Sequence, residues 1–222
     1  MSAAELFEAI RAGNADAVRS KLDTDPSLAS AKNESGISAV LLSIYTGRSE
    51  IRDLLLSRGP VLELNDAAAV GNLERVKELV GKDLAVARSF SPDGFSIFAL
   101  ASAFGHLEIA KYLAEHGADI NATATNSSGY NALTGAVASG HTEIVRWLLD
   151  HGADPNHRYG PGYSPLLTAA ANGHLEVLKL LLAHGADLQA TSDDGKSAVA
   201  LAKERNHPAV AEVLAAQFAG SG

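Results

Sequence analysis

A short motif recurs along the chain at nearly constant spacing. Small-residue runs that end in Gly followed by His, Asn or Arg occur at Gly13, Gly47, Gly71, Gly105, Gly140 and Gly173, and Asn206 stands where the next Gly is expected. The differences between these seven positions are 34, 24, 34, 35, 33 and 33 residues. A fixed period of about 20 to 50 residues indicates an array in which each unit buries its apolar face against its neighbours. The chain is therefore predicted to form one continuous repeat domain.

Each period has the same internal order: a turn with Gly, a short Ala-rich segment, the Gly break, and a second amphipathic segment. In residues 107–114 the apolar side chains fall at positions 107, 109, 110, 113 and 114. This spacing gives a helical face wide enough to pack against a neighbouring helix. Glycine at the break lets the first helix end in a left-handed turn without steric cost. The pattern predicts an all-α fold of stacked helix-turn-helix units.

Three consecutive periods carry a specific motif. Gly105-His106-Leu107-Glu108-Ile109 is followed by His116-Gly117-Ala118-Asp119, and the pattern returns in phase at 140–145 with 151–154 and at 173–177 with 184–187. In these motifs the chain resembles ankyrin repeats. The resemblance implies an ankyrin-repeat solenoid with short β-hairpin-like loops, in a single domain over residues 1–222. The expected units are approximately 2–32, 33–64, 65–89 (truncated), 90–123, 124–157, 158–190 and 191–218.

The third unit departs from the period because it is about ten residues short. Residues 63–72 echo residues 5–14, and the echo continues between residues 25–29 and 82–85. We infer that a two-repeat block was duplicated and that a former amino-terminal cap now lies inside the array. The third unit then lacks a hairpin and should leave a notch between units two and four. At the chain ends, Ser2 and Glu5 have capping-box spacing, and Phe218 is expected to be an exposed ring on the last helix.

Composition limits the other function classes. The chain has no Cys, which excludes disulfides and Cys-based zinc sites and suits a reducing compartment. Its net charge is −8 and its 18 Lys and Arg residues never form a run, so nucleic-acid binding is not expected. No apolar segment is long enough for a membrane span, and the first residues do not resemble a signal peptide. The predicted protein is a cytoplasmic monomer without nucleic-acid or membrane partners.

The residues that could carry chemistry have structural explanations. Seven of the eight His residues fall at repeat positions, where stacked equivalents are too far apart to share a metal ion, and His157 lies in a turn. Asp194-Gly195-Lys196-Ser197 resembles the end of a phosphate-binding loop, but Ala190 stands where the first Gly is required and no strand precedes it. We predict a hairpin turn there, and a protein without catalytic residues, cofactor or metal.

In ankyrin repeats partners contact the hairpin tips and the concave face of the first helices. By resemblance, the variable positions of that surface carry a predicted partner-binding set: Tyr45, Phe95, Phe104, Tyr130, Tyr159, Tyr163, Lys196, Glu204 and Arg205. Exposed aromatic clusters usually mark interaction sites, so the first hypothesis is a protein-protein interaction module with an unidentified partner. Two alternatives stay open: the rings pack locally as core, or a small-molecule or peptide pocket forms at the notch with Tyr45 and Phe104.

Overall fold

The chain is an all-helical array in a computed structural model that describes residues 3–220, with side chains described for residues 3–217. The fourteen α-helices of this part of the chain are α1 (Ala3–Ala12), α2 (Ala15–Thr24), α3 (Ala39–Tyr45), α4 (Ser49–Ser57), α5 (Leu64–Val70), α6 (Leu73–Lys82), α7 (Ile97–Ala103), α8 (Leu107–Glu115), α9 (Ala132–Ser139), α10 (Thr142–Asp150), α11 (Pro165–Asn172), α12 (Leu175–Ala183), α13 (Ala198–Glu204) and α14 (Pro208–Gly220). Consecutive helices pack as seven pairs, so the predicted all-α fold is confirmed. The capping box expected at Ser2 and the exposed ring expected at Phe218 lie outside the described side chains.

Short polar residues start the helices where the repeat pattern places them. Ser38, Ser96 and Ser164 each precede a first helix and accept a hydrogen bond from a backbone N–H of its first turn. Asn14 and Asn72 do the same for the second helices α2 and α6, with N–H···O distances of 3.0 Å. These caps satisfy backbone donors that have no partner within a helix, and they fix each helix start.

Four of the six connections between pairs are hairpins closed by a bridge, and the connection between α8 and α9 is closed by a hydrogen bond from the Ala124 N–H to the carbonyl oxygen of Tyr130 over 2.7 Å. Isolated antiparallel bridges join residues 32 and 38, 90 and 96, 159 and 163, and 191 and 197. The last of these encloses 194–197, which is therefore the hairpin turn that the sequence predicts. Residues 58–63, which lead into α5, form no such bridge. The third helix pair therefore lacks a hairpin, as expected from its length.

Histidines hold successive pairs together through the backbone. Four of them donate a hydrogen bond from Nε2 to a carbonyl oxygen of the preceding pair, over 3.0–3.3 Å: His106 to Ala69, His141 to Ala103, His174 to Ala138 and His207 to Ala171. Three others donate from Nδ1 to the carbonyl oxygen four residues earlier: His116 to Tyr112, His151 to Trp147 and His184 to Leu180. The repeat-position histidines therefore have the predicted structural role.

The buried core divides into two clusters at the start of the third pair. One cluster contains core residues between 6 and 55, the other those between 64 and 214, and Leu62 packs against both. Each cluster begins with a pair that ends in a 3₁₀ helix, Pro26–Ser30 or Leu84–Arg88, capped by the preceding Asp side chain. This matched local structure supports the inferred duplication.

A buried carboxylate lies at the junction between the clusters. Asp66 in α5 is 2% exposed and accepts a hydrogen bond from Ser38 Oγ at 2.5 Å and one from the Glu63 backbone N–H at 3.1 Å. Burial raises its pKa above the ordinary value. The junction between the two clusters therefore contains a buried carboxyl group.

Candidate functional site

The aromatic members of the predicted partner-binding set come from two kinds of position. Tyr45 is the last residue of α3, and Phe104 follows the end of α7. Phe95, Tyr130 and Tyr163 each lie directly before the capping residue of a first helix, at the end of a hairpin connection. Both positions lie along one side of the stack of first helices, so the repeat brings side chains distant in sequence onto one surface.

Five of these rings form a continuous row. The ring centroids of Tyr45 and Phe104 are 6.1 Å apart with near-parallel planes, and those of Tyr45 and Phe95 are 6.5 Å apart edge to face. Phe95 and Tyr130 lie 6.4 Å apart, and Tyr130 and Tyr159 lie 4.9 Å apart. All four separations are within the range in which aromatic pairs attract each other. We call these five side chains the aromatic row.

The shortened third pair makes the first contact of the row possible. Tyr45 belongs to the second pair, whereas Phe95 and Phe104 belong to the fourth. Helix α5 lies between α3 and α7. No hairpin precedes α5, so the third pair contributes no aromatic ring between Tyr45 and the fourth pair. The side chain of Tyr45 reaches the fourth pair across this position, and the predicted notch is partly filled by an aromatic ring.

The sequence predicts that these aromatic rings are exposed to solvent, but their solvent exposure in the structure varies from ring to ring. Tyr130 is exposed at 37%, while Tyr45, Phe95, Phe104 and Tyr163 are half-buried. The expectation of an exposed ring is wrong for Tyr159, which is only 7% exposed because its ring packs beneath Tyr130. The local-core alternative thus describes Tyr159, whereas Tyr130 presents its ring to solvent.

The hydroxyl groups of the two most buried tyrosines have different surroundings. Tyr159 Oη is hydrogen-bonded to Thr168 Oγ1, and burial raises the pKa of Tyr159 to about 12. Burial also raises the pKa of Tyr45, and the next cause is the Asp93 carboxylate, which lies near the Tyr45 hydroxyl together with Ser91. Asn131 Nδ2, in contrast, is a buried polar atom without a hydrogen-bond partner among the described residues. An unpartnered buried polar group costs about 1–3 kcal/mol.

An apolar cleft opens beside the row. Its volume is about 130 Å³ and only apolar atoms are exposed in it. We define the apolar cleft by its lining residues: Tyr45, Phe95, Ala99, Leu100, Ala103, Phe104, Tyr130, Asn131 and Gly135. Because Tyr45 Oη and Asn131 Nδ2 are buried, these two polar atoms are not exposed in the cleft. The cleft can therefore accept only an apolar group.

A second cleft continues from the first along the stack. Its volume is about 410 Å³, and its surface mixes rings with polar atoms. We define the tyrosine cleft by its lining residues: Tyr130, Ala138, Tyr159, Pro161, Tyr163, Thr168, Ala171, Asn172 and Arg205. Tyr130 is the ring that both clefts share. Tyr163 is not part of the aromatic row, but it lines the tyrosine cleft together with Tyr130 and Tyr159.

The three predicted polar residues take two different roles. Lys196 Nζ lies 2.8 Å from Glu204 Oε2, and this hydrogen bond is the main cause that raises the pKa of Lys196. Arg205 follows α13 directly, is exposed and lines the tyrosine cleft. Within the described residues, its guanidinium makes no ion pair and no side-chain hydrogen bond. The charge of Arg205 is therefore unpaired among the described residues, while Lys196 and Glu204 neutralise each other.

The described residues contain no group of three or more His, Asp or Glu side chains that could hold a metal ion. His157, the histidine outside the repeat positions, donates from Nε2 to the carbonyl oxygen of Gly129 over 2.6 Å. Among the helices that the structure describes, none is long and apolar enough to cross a membrane.

Comparison with family models agrees with the repeat architecture. Residues 64–159 match a model described as ankyrin repeats in three copies, and residues 148–202 match a model described as ankyrin repeats in many copies. Together the two matches cover residues 64–202, which is more than half of the chain. They include every residue that lines either cleft except Tyr45 and Arg205. The chain belongs to the ankyrin-repeat family.

Proposed function

We propose that this protein is a non-catalytic interaction module that binds another protein through the surface formed by the aromatic row and the tyrosine cleft. Ankyrin repeats are generally protein-protein interaction modules and typically not enzymes. The observation that carries the proposal for this surface is the exposed ring of Tyr130, which stands between two clefts on one side of the helix stack. Tyrosine is enriched at the energetic centres of protein interfaces.

The size of the apolar cleft argues against the small-molecule alternative at the notch. Small-molecule sites usually have volumes of about 300–1,000 Å³, whereas the cleft at Tyr45 and Phe104 has about 130 Å³. A cleft of that size suits one side chain of a larger partner. We propose that the protein acts in this way as a cytoplasmic monomer, which the absence of Cys and the acidic composition support.

Affinity capture from the native cytoplasm tests the proposed surface. The full chain is compared with a Tyr130→Ala, Tyr163→Ala double variant, because these rings are less deeply packed than Tyr159. The matched control is Val61→Ala, Leu84→Ala, which removes two side chains that are 70% and 61% exposed away from both clefts.

We expect the tyrosine variant to lose a defined partner that the control variant retains, with both variants keeping the circular dichroism spectrum and melting temperature of the unmodified chain to within about 4 °C. Equal capture of that partner by both variants would show that binding occurs elsewhere on the array.

A further inference from the structure

The two clefts form successive subsites along one line. The apolar cleft lies between the fourth and fifth helix pairs, and the tyrosine cleft lies between the fifth and sixth. Tyr130 separates them and lines both. Arg205, from the seventh pair, lies at the far end of the tyrosine cleft. A ligand that follows this line therefore meets an apolar surface, then tyrosine rings, and then a positive charge.

The apolar cleft selects a single hydrocarbon group. An engineered cavity of about 150 Å³ in another protein stays dry and binds benzene, which is close to the volume of about 130 Å³ found here. A polar atom placed in the cleft would lose its water without a partner, because no polar atom is exposed there. The complementary group is one aliphatic or aromatic side chain.

The far end of the tyrosine cleft selects a carboxylate. Arg205 has no ion partner in the described chain, whereas the neighbouring Lys196 is neutralised by Glu204. A guanidinium presents paired N–H donors that match the two oxygens of a carboxylate. Because the chain as a whole carries a net charge of −8, an acidic partner segment would be repelled over most of the surface and attracted at this end of the cleft.

The repeat spacing sets the distance between the two groups. Packed helices lie about 8–10 Å apart, and an extended peptide advances about 3.3 Å per residue. One helix pair therefore corresponds to about three extended residues. Arg205 lines the tyrosine cleft, one pair beyond the apolar cleft, and its backbone belongs to the seventh pair, about two pairs beyond it, so the two groups should lie about three to six residues apart.

We propose that this surface binds an extended peptide segment of its partner, with one large apolar side chain in the apolar cleft and an Asp or Glu about three to six residues away at Arg205. This inference rests on the proposed function and specifies the chemistry of the partner. The tyrosine rings between the two subsites pack against the connecting residues, which need no particular side chain.

A phage-displayed library of random linear peptides tests the predicted pattern with the immobilised full chain. We expect the enriched peptides to share one Leu, Ile, Met or Phe and an Asp or Glu about three to six positions away. Enriched peptides without this pair, or with Lys or Arg in place of the acidic residue, would overturn the proposal. A selection that yields no peptide above background would overturn it as well.

Synthetic versions of an enriched peptide then test each subsite by fluorescence anisotropy. Replacing the apolar anchor with Ala should weaken binding by about 10- to 100-fold, the effect of burying one such side chain. The Arg205→Glu variant should weaken binding by about tenfold. Lys203→Glu is the matched control, because Lys203 is exposed near the end of α13, two residues before Arg205, and lines neither cleft. It should change the affinity by less than about twofold.

Charge exchange separates a direct contact from a general electrostatic effect. A peptide with Lys in place of its acidic residue should bind the Arg205→Glu variant better than it binds the unmodified chain. Equal losses for Arg205→Glu and Lys203→Glu, without this recovery, would refute a specific contact at Arg205. If partner capture still depends on Tyr130 and Tyr163 in that case, the interaction module stands and only the predicted partner chemistry fails.

Discussion

Replacing Gly135 with Ala should destabilise the array, although helix propensity alone predicts the opposite. Gly135 lies inside α9, where Gly costs about 0.8–1.0 kcal/mol relative to Ala, and the sequence therefore indicates a soft position. The structure gives a different reason for this Gly. A Cβ atom at residue 135 would lie 2.8 Å from Ala103 Cβ and 3.4 Å from Ala103 Cα in α7. The absent side chain lets α7 and α9 approach each other closely.

The size of the effect follows from that distance. Carbon atoms in contact normally lie about 3.5–4.0 Å apart, so a Cβ at residue 135 overlaps with the Ala103 methyl group. This methyl group cannot turn away, because Ala has no side-chain rotamers, and relief requires movement of a helix. Overpacking of this kind costs about 1–3 kcal/mol. Because a Cβ contact of 2.8 Å is shorter than folded proteins normally contain, the cost lies in the upper part of this range, at about 2–3 kcal/mol. After the propensity gain of about 1 kcal/mol, we expect a net loss of about 1–2 kcal/mol in the free energy of unfolding.

Thermal and urea denaturation followed by circular dichroism measure this loss. The melting temperature of Gly135→Ala should fall by about 2–8 °C. Gly81→Ala is the matched control, since Gly81 lies in α6 and a Cβ atom added there would meet no atom within 4 Å, and it should raise the melting temperature by about 1–4 °C. Adding Ala103→Gly to Gly135→Ala should restore part of the loss. A stabilised Gly135→Ala variant would refute the packing explanation.

Two further predictions concern buried polar groups. Tyr159→Phe breaks the bond to Thr168 and should lower the free energy of unfolding by about 1 kcal/mol. Thermal denaturation measures this loss, and an unchanged or raised melting temperature would contradict it. Because the folded-state pKa of Asp66 is raised above 3.8, its neutral form favours folding at low pH, and that contribution is lost as pH rises through the raised pKa. Urea titrations at a series of pH values measure the free energy of unfolding of Asp66→Asn and of the unmodified chain. The difference should move in favour of Asp66→Asn as the pH rises from 3.8 through the raised pKa of Asp66. A difference that does not change with pH would show that burying this charge costs no free energy.

The repeat fold could be predicted from the sequence because its signals are local and recur. The motif that begins at Gly105 and ends at Asp119 specifies a helix break, a second helix and its stop within one period. The histidines could be assigned for the same reason, since His106 and His116 meet backbone atoms whose positions the repeat fixes. Recurrence therefore determines the helix pairs and their order of packing.

Side-chain exposure could not be predicted in the same way, because it depends on the neighbouring pair. Tyr159 and Tyr130 both lie in hairpin connections, yet Tyr159 is buried beneath Tyr130 and bonded to Thr168, while Tyr130 faces solvent. Gly135 is a similar case, since its requirement becomes visible only when the position of Ala103 in the preceding pair is known. Composition and periodicity describe a single unit, whereas these properties belong to the contact between two units.

The apolar cleft arises where the array departs from its period. A regular third unit would carry a hairpin and would separate α3 from the surface of the fourth pair. The shortened unit instead lets Tyr45 contact Phe95 and Phe104, and these three rings form one wall of the cleft. The short interval before Gly71 and the presence of Tyr45 are both visible in the sequence, but their combination into one surface depends on how α5 packs between α3 and α7. In this array, therefore, the irregular unit explains why the apolar cleft forms at this end of the row.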